Sequence, residues 1–331
     1  MNLITGGTGL VGAHLLLFLL EKGEKVRAIY RKETSLKKTE NLFVLCGKKE
    51  LFPQIEWIQA DVTDVPALEK AFEGVEFVYH CAAFVSLSSS DEKMRKINIE
   101  GTANIVNLCI DFKVKKLCYV SSVAALGDPV EGVITEESVW NPYRNTSDYA
   151  LSKYGGEIEA FRAAQEGVEV VVVNPGIILG QGFPNQGSSA FFDKVKKGMW
   201  FYTRGKSGFV GVSDVVRAMY ELMKSPINSE KFILVAENLP FDEFLNLIAD
   251  SLQVRRPRFY ASAFLTHIAA KADGILSFLF RKERALTTSM SKTAHSKTIF
   301  SNQKIKETID FEFTDIRKFI TENSTKIIGE N

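Results

Sequence analysis

Thr5-Gly6-Gly7-Thr8-Gly9-Leu10-Val11-Gly12 follows a very short apolar run (Leu3, Ile4) and precedes an apolar-rich stretch from His14 to Leu20. Glycines at 6, 9 and 12 allow a tight strand-to-helix turn, close approach of backbone to a phosphate, and close packing of helix on strand. The helix that starts here offers free N–H groups and the positive end of its dipole, so negative charge is favoured at that point. A spaced glycine trio can also be an ordinary turn. The strand before it and the helix after it supply the context that a dinucleotide's pyrophosphate requires.

Outward from this stretch, short β-rich runs at 3–5, 26–30, 55–59, 77–80, 116–120 and 168–173 alternate with helical patterns at 11–22, 65–72, 91–112 and 148–165. That alternation predicts an α/β fold, a Rossmann-type doubly wound parallel sheet, with its ligand crevice outside the carboxyl ends of the strands. Residues 1–174 are expected to form the dinucleotide-binding domain and 175–331 mainly a smaller C-terminal substrate-binding lobe. Within the latter, 208–236 is expected to return to the first domain, with a helix at 209–223 and a strand at 231–235. The connection 33–53 reads as partly helical and carries no assignable chemistry.

The 331 residues hold 41 basic and 40 acidic side chains, a net charge of +1, and 45% are hydrophobic. Nothing in that balance draws the chain to nucleic acid or to an anionic membrane, so a small-molecule substrate is the expected partner. Cys46, Cys81, Cys109 and Cys118 form no C-x-x-C pair and do not cluster with the histidines, so neither metal site nor disulfide is expected. The glycine motif begins within five residues of Met1, which leaves no room for a signal peptide, and the cytoplasm is the default expectation. Residues 261–280 are largely apolar and are followed by Arg281, Lys282 and Arg284. His267, Lys271 and Asp273 would be costly in a bilayer core, so a buried or substrate-facing helix is expected there, with peripheral membrane contact the lesser reading.

The most specific chemistry lies in Tyr149-x-x-x-Lys153, with Ser122 upstream. Residues four apart on a helix share a side, and Ser121-Ser122 end a strand where the crevice should be. Such a pair is otherwise an ordinary surface pair. A phenol with a pKa of ~10 becomes useful near neutrality when a cation favours its phenolate, and Lys153 supplies one. A serine hydroxyl can hold and polarise a carbonyl or alcohol oxygen.

With these residues in view, the chain resembles the extended short-chain dehydrogenase/reductase family, the NAD-dependent epimerase/dehydratase group. The glycine stretch looks like its nucleotide loop, with Gly6, Thr8, Gly9, Leu10, Val11 and Gly12 as cofactor contacts. Asp61-Val62 is similar to its adenine contact, and His80-Cys81-Ala82-Ala83 to its fourth-strand signature. Asn98-Ile99-Glu100-Gly101-Thr102 resembles its helix motif, whose asparagine organises the active site, although a polar residue mid-helix can also simply face solvent. Ser122, Tyr149 and Lys153 match its triad, and Asn174-Pro175-Gly176 its loop after the sixth strand. The nearest pattern is that of the dihydroflavonol-4-reductase-like ketone reductases. The resemblance implies hydride exchange between nicotinamide and a carbon, proton transfer by Tyr149, a ribose contact from Lys153, and a homodimer packed through the 91–112 and 148–165 helices.

After the second strand the sequence reads Tyr30-Arg31-Lys32, and guanidinium forks pair well with phosphate oxygens, so NADP(H) is favoured and NAD(H) is the alternative. Glu33 dissents, but lies beside two cations. Val123 and Ala124 stand where family dehydratases carry acids, which disfavours water elimination and leaves nucleotide-sugar epimerisation as the alternative to reduction. Phe84, Val85, Leu126, Phe183 and Phe191 are candidate substrate contacts and suit an apolar ketone or aldehyde. A catalytically silent cofactor-binding sensor or assembly protein is a third reading. The presence of both Tyr149 and Lys153 weighs against it.

Overall fold

The computed structural model describes residues 1–331 except 86–90, 130, 142–146, 281–286 and 330–331. Its first half alternates β1 (Asn2–Thr5), α1 (Leu10–Glu21), β2 (Val26–Tyr30), α2 (Leu36–Leu45), β3 (Glu56–Gln59), α3 (Val65–Phe72) and β4 (Phe77–His80). There follow α4 (Asp91–Arg95), a π-helical turn (Lys96–Glu100), α5 (Gly101–Asp111), β5 (Lys116–Val120), β6 (Val133–Ile134), α6 (Asp148–Gln165) and β7 (Glu169–Pro175). The second half runs β8 (Ile177–Leu179), α7 (Ser189–Lys196), β9 (Phe201–Tyr202), β10 (Lys206–Gly211), α8 (Val212–Lys224), β11 (Glu230–Leu234), β12 (Glu237–Pro240) and α9 (Phe241–Ser251). It closes with β13 (Phe259–Tyr260), α10 (Ala263–Phe280), α11 (Thr288–Thr293), β14 (Ile299–Phe300), α12 (Gln303–Ile309) and α13 (Ile316–Ile327).

Seven strands form one parallel sheet in the order β11-β7-β5-β4-β1-β2-β3, which is the doubly wound topology. Its winding reverses between β1 and β4, so the crevice opens beside the glycine loop. Both faces are covered, as a parallel sheet requires, and alternate side chains of one strand serve opposite faces. Ile4, Val171 and Val173 pack with Leu16 of α1 and Met219 of α8. Leu3, Val170 and Val172 pack with Phe72 of α3, Ile105 of α5 and Ala160 of α6. Burying each such side chain contributes roughly 1.5–3 kcal/mol. A three-stranded sheet, β12-β10-β8, carries the smaller lobe, whose core joins Phe192, Phe209 and Phe244 to Ile320 of α13.

Helix α8 packs on α1 and β11 joins the seven-stranded sheet beside β7, but the helix starts later than expected. Phe209, Val210 and Gly211 lie in β10, paired with Ile177, Ile178 and Leu179. Pairing with β8 holds all three extended, and Glu237 of β12 pairs Phe209 on its other side. The strand expected at 168–173 runs on to Pro175, because Ile233 and Leu234 of β11 pair with Asn174 and Pro175. The helix expected at 91–112 is broken into two by the π turn.

Of the buried or substrate-facing helix expected at 261–280, burial does not hold for the first turns: Phe264, Leu265 and Ile268 of α10 are exposed, whereas Ala270 is fully buried. The helix packs on α11 and leaves an apolar side uncovered. Among the described residues no helix is long and apolar enough to cross a membrane. The basic residues Arg281, Lys282 and Arg284 lie outside the described residues.

Helix α6 lies against the π turn at Gly156. A Cβ there would stand 2.3 Å from the Tyr119 hydroxyl and 2.5 Å from the Asn98 carbonyl oxygen. Elsewhere in a helix, alanine would stabilise relative to glycine. Here Gly156→Ala should instead destabilise by about 1–3 kcal/mol through overpacking. Thermal unfolding should show a lower Tm; a Tm equal to or above that of the parent protein would contradict this packing.

Candidate active site

The loop from β1 to α1 is shaped by two close approaches. Gly6 has φ +69° and a Cβ on it would lie 2.7 Å from the Ala82 nitrogen, while one on Gly12 would lie 2.3 Å from the Gly6 oxygen. Gly9 differs: it is exposed, and the nearest atom to a Cβ there is the Gly6 oxygen at 3.4 Å. The protein itself does not require glycine at that position. Helix α1 has no side-chain cap and no acid in its first turn, so its leading N–H groups are left for an anion. An uncapped helix start beside a side-chain-free Gly9 fits a dinucleotide's pyrophosphate. Thr8, Leu10 and Val11 line the same turn half-buried.

Arg31 and Lys32 are exposed just beyond β2. The Arg31 guanidinium lies 3.9 Å from Asp61, whose carboxylate also accepts from the backbone and hydroxyl of Thr63 at 2.9 and 2.7 Å. A long, exposed ion pair holds little, so the guanidinium can turn to a ligand. Val62 is buried beneath Gly101, and its carbonyl accepts from Asn104 at 3.0 Å, which ties the end of β3 to α5.

A directional relay crosses the sheet at the switch point. The Ala82 N–H donates to the Thr5 hydroxyl at 3.1 Å, and that hydroxyl lies 2.6 Å from His80 Nδ1. On the other side His80 Nε2 lies 3.0 Å from the Thr102 hydroxyl, which donates to the Asn98 carbonyl at 2.8 Å. Thr102 spends its one proton on Asn98, so it accepts from His80, and the assignment that satisfies every group is Nε2–H with Nδ1 accepting from Thr5. Burial pushes His80 down to about 3, so it stays neutral throughout the physiological range.

Asn98 does not face solvent. It is buried in the π turn, accepts from the Phe84 N–H at 2.7 Å, and donates to the Phe84 carbonyl at 2.9 Å and the Ser152 hydroxyl at 3.0 Å. Ser152 in turn donates to the Tyr149 carbonyl at 2.9 Å. An inserted π residue is a recurrent way of aiming a functional side chain inward.

Ser122, Tyr149 and Lys153 converge. Ser122 caps the turn after β5 by accepting from the Ala124 N–H at 3.1 Å, and its side chain shares a hydrogen bond with the Tyr149 phenol. Burial raises the pKa of that phenol, and the bond to Ser122 opposes the rise. Lys153 is 2% exposed, and its ammonium donates to the Val120 carbonyl at 2.7 Å and lies 4.5 Å from the centre of the Tyr119 ring. Burial pushes it down to about 7, against the pull of Glu157.

Glu157 was not singled out from sequence. Its buried carboxylate accepts from the Ser121 hydroxyl at 2.8 Å and from Asn174 at 3.0 Å, and pairs with Lys231 at 3.3 Å. The same Asn174 amide donates to the Ser122 carbonyl at 3.1 Å. The available signal was spacing: Tyr149, Lys153 and Glu157 recur every fourth residue on one side of α6.

The remaining candidates divide. Cys81, Ala82 and Ala83 lead from β4 into the crevice, Pro175 ends β7, and Gly176 sits where a Cβ would lie 2.4 Å from the Gly208 oxygen. Phe84 is half-buried with the Lys93 ammonium 4.4 Å from its ring, and Val85 is exposed. The expectation of a substrate lining is corrected for two buried residues whose apolar surface is taken up by core packing: Leu126 packs with Ile134, Val235 and Phe300, and Phe183 with Ala13 and Leu42. Phe191 is half-buried and packs on Phe241 and Phe244. Among the described residues, no three His, Cys, Asp or Glu side chains cluster as metal ligands.

The family model described as NAD dependent epimerase/dehydratase family matches residues 2–235. Sterol demethylase protein B of Methylococcus capsulatus is 29% identical over 260 residues, which are 78% of this chain and 76% of that protein. A putative dihydroflavonol 4-reductase of Synechocystis is 36% identical over 179 residues, 54% of this chain and 49% of that protein. The UDP-glucose 4-epimerase of Thermotoga maritima, solved with UDP-glucose, superposes with a TM-score of 0.76 at 21% identity, covering 98% of each chain. That last likeness speaks for the fold.

The contrast between glycines gives a binding test. Gly9→Ala should leave the Tm nearly unchanged, because a methyl group fits beside Gly6 there, yet weaken dinucleotide binding about tenfold or more by occupying the space a phosphate needs. Calorimetric titration with NAD and NADP reads this directly. Undiminished affinity for both would show that neither lies against this loop.

Proposed function

Because the chain belongs to the NAD dependent epimerase/dehydratase family, its chemistry is to be sought at Tyr149 and Lys153, and we propose that it is an NADPH-dependent oxidoreductase reducing an apolar or aromatic ketone or aldehyde. One observation carries the reading. The turn capped by Ser122, which packs against α6, offers Val123 and Ala124 and no acid. Tyr149 of α6 is then the proton donor facing this strand end, which suits reduction and not dehydration. A stacked Trp140–Tyr154 pair, 4.3 Å between ring centres, and the tethered Phe84 add apolar surface near the same helix. This supports an apolar substrate.

When bound, the nicotinamide dinucleotide supplies the hydride. The Tyr149 phenol gives its proton to the substrate oxygen, and the Ser122 hydroxyl holds that oxygen in place. The ammonium of Lys153 stabilises the phenolate left behind, and Glu157 helps to keep that ammonium charged despite its burial. Asn98 fixes the backbone of Phe84 against α6, which closes one wall. The family relation fits either NAD or NADP. Preference for NADP rests on Arg31 and Lys32, which would meet a 2′-phosphate. A second copy would pack against α5 and α6, where Leu151 and Ile158 stand exposed.

The alternative is a nucleotide-sugar epimerase, which needs no extra acid beyond Tyr149 and which the shared fold accommodates. The two differ in cofactor turnover. We expect net NADPH consumption with an apolar ketone or aldehyde and none with nucleotide sugars. Interconversion of a nucleotide sugar without net cofactor change would establish the alternative.

Arg31→Asp should erase or reverse a tighter binding of NADPH over NADH, measured by fluorescence titration. Equal dissociation constants in the unmodified protein would contradict the role of Arg31. Tyr149→Phe should lower kcat about a hundredfold or more while the cofactor still binds. Lys153 is charged below its pKa, so the reduction rate should be high at low pH and fall as pH rises through about 7. Lys153→Met should be slow and lack that limb. Glu157→Gln, which removes the opposing charge, should move the limb to lower pH. A kcat independent of pH between 6 and 9, an interval spanning the neutral-range midpoint, would exclude the assigned role of Lys153.

A further inference from the structure

Beyond the active site, one surface joins exposed aromatics to a segregated block of positive charge. Trp200 and Phe201 are 65% and 58% exposed, Phe259 is 50% exposed, and Phe264 and Leu265 at the start of α10 are 73% and 55% exposed. They form one patch. β9 pairs with β13, the Trp200 ring stacks on Phe259 at 6.2 Å, and only Ala261 and Ser262 separate β13 from α10. Soluble proteins rarely leave so many large apolar side chains together in water.

The charge around this patch departs from the balance of the whole chain. Residues 194–204 contain four cations and residues 255–271 contain four, and neither stretch contains an acid, although the full chain carries only +1. Lys194, Lys197, Arg255 and Arg258 are exposed beside the aromatics. Arg256 is paired with the exposed Asp250 at 2.6 Å, and the Arg204 guanidinium lies 4.9 Å from the centre of the Tyr260 ring.

We infer that this surface, formed by β9, β13 and the first turns of α10, docks on an anionic phospholipid membrane without crossing it. Trp, Tyr and Phe at the level of the headgroups, aliphatic side chains below them and cations facing lipid phosphates are the components of interfacial binding. A second copy of the chain is a poor occupant. An isologous contact would set one cationic block against another, and like charges across an interface oppose association. Nucleic acid would use the cations and aromatics but would leave Leu265 and Ile268 without a partner.

Vesicle sedimentation tests this with the full-length protein. The protein should pellet with vesicles of phosphatidylcholine and phosphatidylglycerol, bind pure phosphatidylcholine about tenfold less, and be released by salt. Arg255→Ser with Arg258→Ser should weaken the partition roughly thirtyfold. Trp200→Ser with Phe264→Ser should weaken it comparably, and because all four positions are exposed, circular dichroism and the Tm should hold. Trp200 fluorescence should shift to the blue on anionic vesicles and fail to shift in Phe264→Ser with Arg258→Ser. No pelleting above a vesicle-free control, or equal binding to neutral and anionic vesicles, would overturn the inference. So would a drop in sedimenting mass of the Trp200→Ser, Phe264→Ser variant in the absence of lipid, which would assign the patch to contact between copies.

Discussion

An ammonium group enclosed in protein is the constraint from which the site follows. Taking a lysine out of water costs several kcal/mol unless partners replace its hydration. Lys153 has the Val120 carbonyl, the face of Tyr119 and the charge of Glu157. These partners tie the ammonium to several elements of the core. Val120 and Tyr119 belong to β5, and Glu157 is held by Ser121, by Asn174 of β7 and by Lys231 of β11. Three neighbouring strands and one helix are thereby fixed relative to one another. A one-residue slip in any of the three strands would turn its groups to the opposite face of the sheet.

The same economy links the two halves of the crevice. His80, neutral and fully buried, spans Thr5 at the end of β1 and Thr102 of α5, and Thr102 holds the π turn that aims Asn98. The glycine loop and the Tyr149 helix are therefore connected through oriented hydrogen bonds as well as through apolar packing. Removing any single group would leave buried polar atoms unpaired, which costs more than the bond itself contributes. The arrangement favours a preorganised site, with the Tyr149 helix and the glycine loop held in place before any ligand arrives.

Much of this was legible in the sequence, for definable reasons. The sheet strands declared themselves by short β-rich runs, and helix α6 by its periodicity, with bounds matching 148–165. Tyr149, Lys153 and Ser122 could be placed together because helix spacing and strand ends are local properties. What is not legible there depends on contacts distant in sequence. Glu157 acquires its meaning from Asn174 and Lys231, and the π turn depends on packing of Asn98 against Phe84 and Ser152. Leu126, Phe183 and Phe191 look alike in sequence whether they line a cleft or fill a core, and only their neighbours decide. Helix α8 starts at Val212 and not at Phe209, because strand pairing overrides the apolar pattern there.

The buried charge itself can be observed. In protein labelled at lysine Cε with carbon-13, with the Lys153→Met variant used for assignment, the Lys153 resonance can be followed through a pH titration by NMR. The account predicts a midpoint near neutrality, about 7, set apart from the surface lysines. A midpoint at the ordinary lysine value of 10.5 would show that the ammonium is solvated. In that case Lys153 could not be the group whose loss of charge limits proton transfer from Tyr149.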